Sequence, residues 1–194
     1  MNTTPLTTID PIALAEAKTN IQGQPDLGIV TYGVELAWQG GTRAIAKALP
    51  LHMGQEWIDR PFTWTVDEPQ ALLGSNQGPT PQEYLMSGVG ACILVGFTVN
   101  AAILGIPIRQ LTVSITGSLN LAGFLDLDPH APVEMLGIQY KISVDSDASP
   151  EQLALLHDKA VNFSPNAMTV AKGIPLSGSL EQIATVREPV LTHV

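Results

Sequence analysis

TPQEYLMSGVGACILVGFTVNAAIL, Thr80 to Leu104, is the stretch on which the fold of this chain turns. It opens as a helix should. Thr80 can serve as N-cap, Pro81 occupies the first helical position and Glu83 stands third, where a carboxylate can reach back to the cap. No charged side chain occurs between Tyr84 and Ile108. A helix apolar all round cannot be covered by one sheet. The economical solution is two subunits that bury their central helices together, with small residues at the crossing. Along the helix Gly88, Cys92, Gly96 and Asn100 recur every fourth residue and share one slowly drifting face. Cys92 is the chain's single cysteine. The glycines on either side leave room for something to approach its sulfur, either a substrate or another helix. Burial would make the thiol inert, whereas a nearby cation would make it a nucleophile.

The segment is long enough to cross a membrane. Against that reading stand its glycines, Ser87, Asn100 and the Gly105-Ile106-Pro107 run, which would stop a helix early. Scant flanking basic charge would also orient a span poorly. The segment reads as the core helix of a soluble domain.

Upstream, Gly28 to Trp38 (GIVTYGVELAW) alternates in part and is rich in Val, Thr and Tyr, which predicts a strand. Gln39-Gly40-Gly41 is a turn, and Thr42 to Leu51 returns antiparallel. Pro61 to Val66 (PFTWTV) gives a third strand, and Asp67 to Pro81 an irregular loop. Downstream, Leu111 to Leu119 and Met135 to Asp145 predict strands separated by a loop over Asn120 to Pro132. Ser149-Pro150-Glu151 starts a second helix, which ends near Phe163 where Ser164-Pro165-Asn166 breaks it. A short helical stretch and a closing strand over Pro175 to Ala184 complete the order, that of an α+β domain. Residues 1–25 are read as an N-terminal extension, loosely ordered or helical, 26–188 as the domain and 189–194 as a tail.

The bulk numbers narrow the function. Charged residues make up only 14% of the chain, against about 25% in an average soluble domain. So much neutral surface suggests that a partner subunit covers part of it. The net charge of −9, without any basic cluster, argues against nucleic acid and against an anionic membrane surface. One cysteine cannot form an internal disulfide, and the start of the chain lacks the basic, then apolar pattern of a signal peptide. Both point to the cytoplasm. His52, His130, His157 and His193 show no metal-ligand spacing, and neither a phosphate loop nor a GxSxG elbow is present. Trp38, Trp57 and Trp64 read as packing residues that could wall an apolar pocket near Arg43.

The run DEPQALLGSNQGPTPQEYLMSGVGAC, Asp67 to Cys92, resembles the OsmC-like family, which includes the organic hydroperoxide resistance proteins. The resemblance continues through WQGGTR (Trp38 to Arg43), GFLDLD (Gly123 to Asp128) and the DASPEQL helix start (Asp147 to Leu153). It implies antiparallel sheets packed around a long central helix that carries the cysteine, and an intertwined homodimer with sites between subunits. It also implies thiol-dependent reduction of organic hydroperoxides, with no cofactor beyond an external thiol or dithiol reductant. On this resemblance Cys92 is the peroxidatic cysteine and Arg43 the arginine that activates it, with Arg60 as a fallback. The carboxylate is divided between two positions. The hydroperoxide-reducing branch has its glutamate where this chain has Gln82, whereas Glu83 lies one residue on and is either the catalytic carboxylate or only a capping residue. The resolving cysteine of the family falls at Ser164, and a hydroxyl cannot form a disulfide. The expectation is therefore a one-cysteine peroxidase for small organic hydroperoxides. A non-catalytic module for a small apolar ligand and a redox sensor are the alternatives.

Overall fold

The computed structural model describes residues 9–182. Helix α1 (Pro11–Gly23) starts where the Asp10 carboxylate accepts the N–H groups of Ile12 and Ala13, and none of its residues is buried. Eight strands follow the antiparallel pattern throughout: β1 (Val30–Thr31), β2 (Val34–Trp38), β3 (Ala44–Ala48), β4 (Leu51–Met53), β5 (Glu56–Ile58), β6 (Thr63–Val66), β7 (Gln110–Ser118) and β8 (Gly137–Asp145). They form two three-stranded sheets, β1-β4-β5 and β2-β3-β6, and the two-stranded sheet β7-β8.

The expected strand over Gly28 to Trp38 is divided at Tyr32-Gly33 into β1 and β2, and its antiparallel return is divided at Leu49-Pro50 into β3 and β4. Leu49 N–H donates to the Gly33 carbonyl at 2.9 Å, so both strands cross between the two small sheets at the same point. Pro50 has no N–H to continue a ladder there. The β4-β5 hairpin, which the sequence reading missed, turns at Gly54.

Helix α2 (Pro81–Ile103) is the predicted central helix, with Thr80 as its cap. It is long and apolar enough to span a membrane by length and composition, at a mean hydropathy of 1.8. One side of it instead carries the core: Val89, Ile93, Phe97 and Ala101 pack with Ile106, Ile108, Leu156 and Ala160. These partners come from the loop after α2 and from α4 (Pro150–Asn162), while β7 and β8 contribute Leu111, Val113, Ile115, Ile142 and Val144 at the margin. A one-turn helix α3 (Leu121–Phe124) interrupts the expected loop. Arg109 clips the end of the β7-β8 hairpin by ion pairs to Asp145 (2.6 Å) and Asp147 (2.7 Å). Helix α5 (Pro165–Lys172) begins at the expected break, with Ser164 as its cap.

The closing strand is not formed where it was expected. Residues 175–182 pair with no strand among the described residues, and Leu176 and Leu180 are each 99% exposed. Alternation can prepare a strand, but only a neighbouring edge supplies its hydrogen bonds. Residues 183–194, including the remainder of that expected strand and the tail, lie outside the described residues.

Candidate functional site

The first turn of α2 gives one candidate a structural use. Glu83 Oε2 accepts the Thr80 N–H at 2.7 Å, and Thr80 Oγ1 accepts the Glu83 N–H at 3.2 Å. This reciprocal pair satisfies two backbone donors at the helix start. From Glu83 to Cys92 is nine residues, or ~13.5 Å along the axis and about half a turn around it. Within the chain Glu83 therefore faces away from Cys92. Gln82 lies within about 80° of the Cys92 direction and carries no charge.

Cys92 is partly exposed, on a flank of α2 beside α4 and α5. One turn before it, the Gly88 carbonyl accepts a hydrogen bond from Asn166 Nδ2 at 2.8 Å. One turn after it, Gly96 lies so near α4 that a Cβ there would come 3.2 Å from the Ala160 carbonyl oxygen. The room left by the two glycines is thus taken largely by helices, and Cys92 stands between the two contacts. Ser164, at the junction of α4 and α5, is 1% exposed and uses its Oγ to accept the Ala167 N–H at 3.2 Å.

Arg43 leaves the β2-β3 turn half-buried and forms no ion pair among the described residues. Its backbone is fixed: the Arg43 carbonyl accepts Gln39 N–H at 2.9 Å and Arg43 N–H donates to the Gly40 carbonyl at 3.2 Å. Gly40 and Gly41 have φ of 97° and 57°, the left-handed region that a tight turn reserves for glycine. Arg60, the fallback, lies with its guanidinium 4.7 Å from the centre of the Phe62 ring.

Beside Arg43 is a residue that the sequence reading passed over. Asp67 is 1% exposed. Its Oδ1 accepts from Thr42 Oγ1 at 2.8 Å and Glu68 N–H at 2.9 Å. Its Oδ2 accepts from Ser75 Oγ at 2.6 Å and from the N–H groups of Ser75 and Gln77, each at 3.1 Å. The Ser75 hydroxyl above all, with Thr42 and the two N–H groups of Gln77 and Glu68, holds this carboxyl far below the usual carboxylate range against the opposing effect of burial. The adjoining Glu68 is the reverse case. Its Oε2 is enclosed without a hydrogen-bond partner, and burial, then the charges of Asp67 and Glu83, push its carboxyl above the usual range. In the sequence only an acidic pair at the exit of an alternating strand, ahead of a loop rich in Gly, Ser and Asn, points to either residue, and nothing local names the donors.

A groove of about 560 Å³ runs along the other side of α2, lined by Glu83, Met86, Gly90 and Leu94 and by Val113 and Ile115 of β7. Cys92 is not part of its wall. Tyr84, on the first turn of α2, donates its hydroxyl to the Thr65 carbonyl at 2.6 Å and so ties the helix to β6. His157 Nε2 stands 3.0 Å from the Tyr140 hydroxyl. Among the described residues no group of His, Cys, Asp and Glu could hold a metal ion.

The sequence pattern that defines the OsmC-like protein family matches residues 74–178, more than half of the chain. The chain belongs to the OsmC-like family. Solved structures of OsmC-like proteins share its architecture. An OsmC-like protein from Mycoplasma pneumoniae superimposes with a TM-score of 0.59 at 20% identity, over 74% of this chain and 89% of that one. An organic hydroperoxide resistance protein, OsmC, from Legionella pneumophila does so with a TM-score of 0.51 at 14% identity, over 74% and 90%. One from Elizabethkingia anophelis gives 0.50 at 17% identity, over 74% and 89%. At such identities the likeness is one of fold. No curated protein matches the sequence closely enough to count as a relative.

Proposed function

We propose that this OsmC-like protein is a one-cysteine, thiol-dependent peroxidase for small organic hydroperoxides, with a site completed between two copies of the chain. The observation that carries the reading is the placing of Cys92. It is a partly exposed thiol on the central helix of a fold shared with hydroperoxide resistance proteins. The thiolate sulfur donates an electron pair to the outer peroxide oxygen and the O–O bond breaks. The inner oxygen leaves as alkoxide, takes a proton and departs as alcohol, and Cys92 is left as sulfenic acid. Ser164 cannot resolve that acid as a disulfide. An external thiol instead condenses with it, releasing water, and a second external thiol displaces Cys92 from the mixed disulfide.

Arg43 is the cation assigned to this step, favouring thiolate and polarising the peroxide. The apolar surface that one chain leaves open supports a second copy. Val34, Leu36 and Trp38 are 50%, 59% and 76% exposed along one face of β2, and Leu85 and Val95 of α2 are 46% and 56% exposed. We give Glu83 no part in the peroxide step, a choice supported by its carboxylate oxygen Oε2 capping α2. The test is to add cumene hydroperoxide and trap Cys92 as sulfenic acid, read by mass spectrometry. A thiol that stays unmodified in excess oxidant refutes the proposal.

The groove on the far side of α2 favours a second reading, a non-catalytic module for a small apolar ligand. On that reading Cys92→Ser leaves ligand-induced thermal stabilisation unchanged and the protein shows no turnover.

A further inference from the structure

We propose that Asp67 is a positioning residue for Arg43, a two-sided clasp that holds the arginine's turn against the segment from which the cysteine-bearing helix starts. The inference rests on the reading of Arg43 as the cation that assists Cys92. The β3-β6 ladder ends at the Ala44–Val66 pair, one residue short of Arg43 on one strand and of Asp67 on the other. Past that pair the side-chain bond from Thr42 to Asp67 Oδ1 takes over from the ladder. Its anchor is thus the residue next to Arg43.

The two carboxylate oxygens divide their work. Oδ1 takes the Thr42 hydroxyl and the Glu68 N–H, which belong to the hairpin and to the exit of β6. Oδ2 takes both donors of Ser75 and the N–H of Gln77, which belong to the loop running on to Thr80 and α2. Five donors on one buried carboxylate leave it no freedom to rotate, and an uncharged amide could not serve both sides because one of its atoms would itself be a donor. The surrounding backbone is shaped to this bond pattern. Leu73 and Asn76 adopt left-handed φ of 65° and 56°. At Gly74 any Cβ would run into the Glu68 carbonyl, so the loop closes tightly over the clasp. A charge held this way is not a surface ornament. It fixes where the Arg43 Cα sits relative to the start of α2, and leaves only the arginine side chain free to meet a substrate.

The experiment compares Thr42→Val, Thr42→Ser, Ser75→Ala, Asp67→Asn and Arg43→Ala, and the double variant Thr42→Val/Arg43→Ala. The readouts are the single-turnover rate of Cys92 sulfenic acid formation with cumene hydroperoxide and the thermal unfolding midpoint. Thr42→Val should slow the rate by about tenfold, as small displacements of a catalytic group do. Thr42→Ser should restore it, because the hydroxyl returns. Ser75→Ala breaks the opposite side of the clasp and should lower the midpoint by as much as Thr42→Val while keeping more of the rate. Asp67→Asn should lower both. In the double variant Thr42→Val should add no loss to that of Arg43→Ala, since it acts through the arginine. A Thr42→Val protein with the native rate, or one no slower than Ser75→Ala, overturns the positioning role while Arg43→Ala remains slow. A native rate in Arg43→Ala instead overturns the assignment of Arg43, and this inference falls with it.

Discussion

The two halves of this chain are built on opposite terms. From α2 onward, helices α2 and α4 close over β7-β8 and bury Phe97, Ile93, Leu156 and Ala160 almost completely. Before α2, two small sheets leave every residue of β2 exposed and bury only Ala46 and Val66. Three short strands with one uncovered face cannot hold themselves together by apolar burial. The C-terminal half therefore has its own core, whereas the N-terminal half presents a face that calls for a second surface. The proposed site draws on both, since Cys92 comes from the first and Arg43 from the second.

Substitutions can break that contrast or sharpen it. The largest effect is expected at Phe97→Ala, a truncation in the self-sufficient half, at about 3–5 kcal/mol of stability. Urea denaturation measures it, and a loss comparable to that of an exposed Trp38→Ala would erase the difference between the halves. Next comes Leu36→Asp on the open face of β2. It should turn a dimer into a monomer by sedimentation and remove the dependence of the unfolding midpoint on protein concentration. If the chain is monomeric to begin with, the N-terminal half must be covered some other way. Smaller again is Thr80→Ala at the junction of the halves, which deletes one side of the capping box. It should cost about 1 kcal/mol, and Glu83→Gln should do less while leaving peroxide reactivity intact.

The smallest effect belongs to Glu68 beside that junction, and its sign is opposite to that of its acidic neighbour. Asp67 is held below its ordinary range, so its contribution to stability is present above about pH 4 and fades as pH falls further. Glu68 is pushed upward, so the folded state favours its protonated form. That contribution is complete below the ordinary glutamate value, and it is lost as pH rises through the raised one. Glu68→Gln should therefore raise the thermal midpoint at pH 7 and give no gain near pH 4. A midpoint raised equally at both pH values would show that charge is not the cause.

The candidate residues were readable in advance, but unevenly. Cys92 was legible because a lone sulfur on an uncharged helix between glycines is rare in pattern, and the Asp67 to Cys92 motif placed it within a family. Arg43, just after the Gly-Gly turn, was named only through the family resemblance. Glu83 was legible only as two alternatives, and the capping bonds to Thr80 assign it to the helix end. Asp67 was read only as the start of a loop and of the motif, not as a residue of the site. Its importance lies in Thr42 and Ser75, 25 residues before it and 8 after it, and no local pattern announces a pairing across such gaps.

What the sequence determined by itself was local: where helices begin, which residues alternate, how far the uncharged stretch runs. Caps and periodicities are settled among residues a few positions apart, so they survive in one dimension. The tertiary structure alone decided that α4 and α5 fill most of the space beside Gly88 and Gly96, that both first strands break at one crossing point, and that Asp67 joins a turn to a loop. It also left the residues after Gly173 without a sheet edge through Gln182. Each of these depends on which distant surfaces meet, and that is fixed by the packing of the whole chain rather than by the preference of any segment.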